Sequence, residues 1–348
     1  MTTDFAKTPI RLSSPRDIVD AVPYLVGFQP EDSLVVVSLR GQRSRIGLTA
    51  RVDLPPAESV VACARQFAGH LKRDRATRAI VVLYPPSDGP LYPTVQPLAA
   101  AMTAQLSRAH IDLCELLCVC DGRWWSLSCT DDACCPPEGT PVAHDGTSAY
   151  AAAMTLSGRA VLASRKELAR TIEPVAGVAR AAMAYALPRA RDQLNDRVAA
   201  GDRAEVAHES LELLRVAVRD RIAADPAARD DTALTVEAAA RLIVGLDDVY
   251  ARDEVLTWFD GEWGEATRGL LVELVRRAAP PHDVPPLTAL AWIAYLQGDG
   301  AFAGIALDRA LEADPGYRLA RLLDQALLAP LNPELFRSAM RGVARPHG

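Results

Sequence analysis

Every run that reads as a β-strand lies before about residue 150 of this 348-residue chain. LVVVSL (34–39) and AIVVLY (79–84) are continuous β-branched apolar runs. IGLTARVDL (46–54) instead alternates, with Ile46, Leu48, Ala50, Val52 and Leu54 set against Gly47, Thr49, Arg51 and Asp53. A period of two predicts a half-buried strand. Beyond that point the pattern is helical, broken by Asp-Pro, Pro-Pro and Gly-Asp-Gly. Such a chain should fold as an α/β domain over 1–150 followed by an α-helical domain over 151–348. Its length is sufficient for two cores.

Local signals order the first half. Ser14 can cap a helix that starts at Pro15, with Asp17 in the first turn, where acids are favoured. Pro23 should kink or end that helix. The first two strands should pair through RGQRSR. Val60, Ala64, Phe67 and Leu71 then form one helical stripe, and the cations Lys72, Arg73, Arg75 and Arg78 suit its C-terminal end. YPPSDGPLYP is a loop, and a helix follows near 95–109 with Leu98, Met102, Leu106 and Ala109 inward. In ELLCVC-Asp121-Gly122-RWWSLSC the Asp-Gly pair predicts a two-residue type I′ turn. Cys120 then faces Arg123, Cys118 faces Trp125, Leu116 faces Leu127 and Cys114 would face Cys129. The order ββαβαββ predicts a mixed five-stranded sheet, with strands two, three and four parallel and strands one and five antiparallel on its flanks.

In the second half, segments near 164–186, 203–223, 233–249, 265–278, 287–297, 301–313 and 317–328 read as helices. Within LTALAWIAYLQGDGAFAGIALDRALEADPGY, Ala303, Leu307, Ala310 and Pro315 have the spacing of a tetratricopeptide second helix and its closing proline. Leu287 and Ala294 stand where the first-helix aromatics would be. One such unit supports tetratricopeptide-like packing rather than an array.

Charge narrows the function classes. Net charge is −6, and residues 1–150 carry 14 Lys or Arg against 16 Asp or Glu, leaving 24 against 28 in the remainder. Neither half is basic, so no electrostatic case exists for nucleic acid or an anionic membrane as partner. No segment is long and apolar enough to span a bilayer. MTTDFAKTPIRLSSPRD has no apolar core of a secretory signal, and a cytoplasmic protein is expected. Seven cysteines, an odd number in a long chain, predict reduced thiols rather than a disulfide scaffold.

The stretches LSSPRDIVDAVPYLVGFQPEDSLVVVSLRG, ARVDLP, DGRWWSLSC, CCPPEG and GDGAFAGIALDRALEADPGYRLARLLDQAL taken together resemble an actinobacterial family, the domain-of-unknown-function family 4192. The resemblance runs over nearly the whole chain. It implies a lineage and no mechanism.

Two places hold residues with chemical potential. In sheets with parallel strands, ligands sit beyond the carboxyl ends of the strands. Those ends carry Arg51, Asp53, Tyr84, Ser87 and Asp88, which are candidate ligand-binding residues, together with the Asp121-Gly122 turn. Turn and surface roles account for the same residues. Trp124 shares its strand face with Ser126 and Ser128 and is the better stacking candidate, whereas Trp125 belongs with the core cysteines. The second place is CTDDACCPPEG (129–139). A zinc reading would use Cys129, Cys134 and Cys135 with His144. Against it, adjacent cysteines tend to diverge, and Asp131 and Asp132 oppose thiolate formation. The structural reading, with the cysteines filling the domain edge, is the one expected, and no metal or cofactor is called for.

No GxGxxG, Walker A, GxSxG or HExxH motif is present. The reading that follows is a non-enzymatic binding or regulatory module, with a protein partner on the helical domain. The alternative is an enzyme, such as a hydrolase, using the polar loops at the strand ends.

Overall fold

A computed structural model of the chain describes residues 14–142, 150, 161–224, 234–328 and 333–341. The chain divides into two compact units, one reaching Leu168 and the other beginning at Ala169. The first extends past the change of pattern near 150 because Leu162 bridges Phe28 and exchanges backbone hydrogen bonds with Gly27 and Gln29.

The first unit is built on a six-stranded sheet. Its strands are β1 (Ser33–Arg40), β2 (Arg45–Asp53), β3 (Ala76–Tyr84), β4 (Asp112–Cys120), β5 (Arg123–Ser126) and β6 (Thr140–Pro141), in the order β2-β1-β3-β4-β5-β6. β3 and β4 are parallel, and the other neighbours are antiparallel. Strands two, three and four share one direction, as expected. The placement of β1 corrects the sequence reading: it lies between β2 and β3, not on a flank. Burial explains why. β1 is buried on both faces along nearly its whole length, whereas β2 is half-exposed and its Ile46 and Val52 stand in solvent. A continuous apolar run needs two neighbours and two covered faces, and an alternating one tolerates an edge. The sixth strand was missed because two residues carry no periodicity. Pro141 is at home there, since an edge position does not need its absent N–H.

Helices α2 (Val60–Arg73) and α3 (Val95–Arg108) cover one face. The stripe Val60, Ala64, Phe67 and Leu71 and the inward Leu98, Met102 and Leu106 meet Leu34, Val36, Val81, Leu83, Leu116 and Cys118 in one core. Side chains alternate along a strand, so Val35 and Val37, equally buried, point to the other face. There α1 (Pro15–Val26) lies. Its start is a capping box: Ser14 Oγ accepts from Asp17 N at 3.2 Å, and Asp17 Oδ2 accepts from Ser14 N at 3.0 Å. Pro23 sits inside the helix, which runs on to a left-handed Gly27 at φ 87°.

The β4–β5 turn has φ 48° at Asp121 and 70° at Gly122, as a type I′ turn requires. Cys120 pairs with Arg123 and Cys118 with Trp125, the register the turn predicts. The ladder does not reach Cys114 and Cys129, because β5 ends at Ser126. At the opposite end of the sheet the buried Asp74 accepts from Ser38 Oγ, from Arg40 Nε at 2.9 Å and from Leu48 N at 3.1 Å.

The chain continues through α4 (Arg165–Arg170). The described part of the second unit is then helical: α5 (Gly177–Ala199), α6 (Arg203–Ala223), α7 (Val236–Gly245), α8 (Val249–Val255), α9 (Gly261–Arg277), α10 (Val284–Leu296), α11 (Gly300–Ala313), α12 (Arg318–Leu328) and α13 (Pro333–Arg341). The segment expected as one helix over 164–186 is two, separated around Glu173-Pro174, because a residue before proline disfavours the helical conformation. Every residue of α10 is buried, and α11 packs along it. Ala303 and Ala310 are fully buried on α11, as are Leu287 and Ala294 on α10. Asp299 caps α11 through Phe302 N at 3.1 Å and pairs with Arg268 at 2.5 Å. No helix among the described residues is long and apolar enough to cross a membrane.

Candidate functional site

β3 ends at Tyr84-Pro85-Pro86, since prolines cannot continue a central ladder. β4 ends one residue before the Asp121-Gly122 turn. The chain leaving α1 passes through Gln29-Pro30-Glu31 and enters β1 after a left-handed Asp32 at φ 46°. These three segments and α1 enclose a cavity of about 640 Å³ at the carboxyl ends of β3 and β4. That is the size range and the position of a small-molecule site in a sheet with parallel strands.

The cavity has two kinds of wall. Val19, Pro23, Pro85, Val119, Val142 and Val161 are apolar. Asp20, Glu31, Asp32 and Asp121 bring four carboxyl groups to it, and no Lys, Arg or His lines it among the described residues. Tyr84 also lines it. It is 5% exposed, and its hydroxyl has no hydrogen-bond partner among the described residues. Burial pushes that phenol far above its usual range, so Tyr84 is a neutral donor at physiological pH.

Sheet register extends this observation. Ser33 stands opposite both Asp53 on β2 and Tyr84 on β3. The β3–β4 ladder ends at the Leu83–Cys118 pair, so continuing its register by one residue sets Tyr84 beside Val119, and Val119 stands opposite Trp124. Asp53, Ser33, Tyr84, Val119 and Trp124 therefore form one row across the α1 face of the sheet. Ser33 Oγ, Tyr84 Oη and Trp124 Nε1 are all buried and unpartnered among the described residues. Three such groups in one row beside a cavity are costly without a ligand or solvent to satisfy them, about 1–3 kcal/mol each.

The sequence-predicted residues do not gather as one cluster. Tyr84 lines the cavity, whereas Asp53, Ser87, Asp88 and Arg51 do not. Arg51 pairs with Asp53 at 2.5 Å, donates to Glu31 O at 3.1 Å and lies 6.0 Å from the Phe28 ring centre. It thereby braces the segment that carries Glu31. Ser87 Oγ reaches Asp88 Oδ2 at 3.4 Å in the exposed turn after β3. Trp125 packs against the core that holds Cys118, as expected, but Trp124, the expected stacking residue, is the more buried of the two. Trp124 is 8% exposed and offers no open face, because the α1 side of the sheet is covered as well. Trp125 is half-buried, with Nε1 donating to Pro137 O at 2.9 Å. Its ring lies so close over Gly139, at φ 79°, that a Cβ there would come within 2.5 Å of it. Sequence reasoning missed Ser33, Asp20, Glu31 and Asp32. Glu31-Asp32 just before a buried strand was the available signal.

In CTDDACCPPEG the sulfurs of Cys129, Cys134 and Cys135 lie within 4.8 Å of one another. The expected divergence of the two adjacent cysteines is not found. Cys134 is exposed and the other two are half-buried, so they do not fill the domain edge as a core would. A hydrogen bond with the Asp131 backbone, and then ones from Cys135 and Cys134, hold the Cys129 thiol below its usual range. Desolvation, followed by the bond to Cys129, raises Cys135 to about 12. His144 lies outside the described residues.

The chain is a two-part protein, an α/β region on a mixed six-stranded sheet with a cavity at its strand ends, followed by a helical region. The chain belongs to the family described as Domain of unknown function (DUF4192), whose model matches residues 15–334. No curated protein and no solved structure matches it.

Proposed function

We propose that the protein is a binding module whose α/β unit takes a small organic cation into the cavity at the ends of β3 and β4. The observation that carries this reading is the buried, unpartnered Tyr84 hydroxyl on a cavity wall whose charged residues are all acidic among the described residues and which also includes apolar side chains, Gln29, Tyr24 and Cys120. Glu31, Asp32 and Asp121, on a wall with no Lys, Arg or His among its described lining residues, favour a positive ligand by charge. The apolar wall favours one with a hydrocarbon body, and a neutral phenol supplies a hydrogen bond to a polar group on it. This deepens the non-enzymatic reading of the sequence. The hydrolase alternative called for Asp53, Ser87 and Asp88 to converge with Tyr84, and its support is reduced to Tyr84 alone.

The test is calorimetric titration of the full chain with phenethylamine and with phenylacetate, which share a body and differ in the sign of charge. Heat and a saturable isotherm for the amine alone support the reading. Equal binding of both, preference for the acid, or binding of neither rejects it.

A protein partner on the helical unit is the second reading. It is favoured by Val178 and Tyr185 on α5, seven residues apart and both exposed. Positions at this spacing share a helix face. The α10–α11 pair is the tetratricopeptide-like element that reading would build on. The cavity of about 190 Å³ in this unit has Arg197, Glu209 and Arg241 in its wall and does not resemble an apolar groove.

A further inference from the structure

We propose that Cys129, Cys134 and Cys135 form a zinc-binding site. It is independent of the cavity, and three features of the loop support it.

The first is convergence. Successive side chains of an extended segment point apart, but here the chain turns. Asp131 O accepts from Cys134 N at 3.1 Å and Cys135 N at 2.8 Å, while Asp131 Oδ1 accepts from Ala133 N at 3.0 Å. That turn folds Cys134 and Cys135 back over Cys129. A zinc ion with sulfurs at about 2.3 Å in tetrahedral array sets them ~3.8 Å apart. Sulfurs already within 4.8 Å need to close by only about 1 Å to reach that.

The second is that neither common alternative accounts for the thiols. All three are free, so they do not staple the loop. Cys134 is exposed, so the cluster is not packing. Stiffness at the exit comes from Pro136-Pro137 and from the Trp125 Nε1 bond to Pro137 O, none of which involves sulfur.

The third is charge. Three thiolates suit both zinc and cuprous copper by softness. Asp131, Asp132 and Glu138 add negative charge around the loop, which favours the dication. Zinc then keeps its fourth position for a ligand other than these three. Each thiol loses its proton on binding, so uptake is accompanied by proton release.

The experiment uses the full chain, reduced and stripped with chelator, then equilibrated with zinc and dialysed. One zinc per chain by elemental analysis is the expected result. Cobalt added to the stripped chain should give the near-ultraviolet absorption of thiolate-to-cobalt charge transfer. Cys129→Ser, Cys134→Ser and Cys135→Ser should each abolish stoichiometric zinc, and Cys114→Ser, an exposed thiol outside the cluster, should leave it unchanged. Each variant's circular dichroism is compared with the parent, and the parent's cobalt spectrum does not depend on any variant folding. Absence of both zinc and the charge-transfer band, retention of zinc by the three single variants, or uptake of cuprous copper alone would overturn the proposal.

Discussion

Ser33 and Tyr84 stand opposite one another across β1 and β3, and neither hydroxyl has a hydrogen-bond partner among the described residues. A protein does not keep two buried hydroxyls side by side for stability, because each forfeits its bonds to water. Tyr84→Phe removes one of them without opening a cavity. It should raise the stability of the ligand-free chain by about 1 kcal/mol and weaken binding of the organic cation. Denaturant titration and calorimetry on the same variant check both halves. A destabilised Phe variant with unchanged affinity would place the hydroxyl in the fold and not in the site.

Asp74 holds the far end of the sheet. Its carboxylate is buried and joined to Ser38, Arg40 and Leu48 N. Asp74→Ala leaves Arg40 without its partner and should cost about 3 kcal/mol. A Cβ at Gly47 would fall on the Arg40 and Ser38 side chains, so Gly47→Ala should also destabilise, through displacement of the same network. Urea midpoints of the two variants and of the double variant test the shared cause. The double variant should lose less than the sum of the single losses.

Much of this architecture can be read in the sequence, and the reasons differ by element. The Asp121-Gly122 turn sets its register locally, so the Cys118–Trp125 and Cys120–Arg123 pairs follow from two residues. The helix stripes of α2 and α3 follow from spacing. The position of β1 does not, because it depends on comparing its burial with that of β2, a tertiary property. The site inherits that difficulty. Ser33 and Tyr84 share a row only when β1 lies between β2 and β3, whereas sequence proximity points to Ser87 and Asp88. The cysteines converge because the chain turns at Asp131, whereas the divergence of adjacent side chains holds only for extended segments.

Ala303 lies fully buried on α11, which packs along α10. Ala303→Leu should destabilise by about 1–3 kcal/mol through overpacking. Thermal unfolding tests this, and an unchanged midpoint would contradict the packing described.

Asp247 gives the helical unit a pH dependence. Burial raises its carboxyl to about 6, with Arg191 opposing, against an ordinary value of 3.8. A folded-state value above the unfolded one means its contribution is fully present below about pH 4 and is lost as pH rises through about 6. Asp247→Asn should therefore stabilise the chain at pH 7.5 and have little effect at pH 4. The side chain is partly exposed, so solvent screening holds the gain to about 1 kcal/mol. Melting midpoints of parent and variant across that range measure it, and a gain that is the same at both ends would contradict the assignment.

The central claim is that the carboxylates at the ends of β3 and β4 select a cation, and it is tested most directly by the affinity of phenethylamine for the full chain and for its Asp32→Asn, Asp121→Asn variant. Both positions are exposed, so the pair can be replaced with the fold intact. Calorimetry at low salt should show at least about a tenfold loss of affinity in the variant, equivalent to ~1.4 kcal/mol, and a smaller salt dependence than in the parent. Equal affinity in the two proteins, with equal salt dependence, would contradict the account.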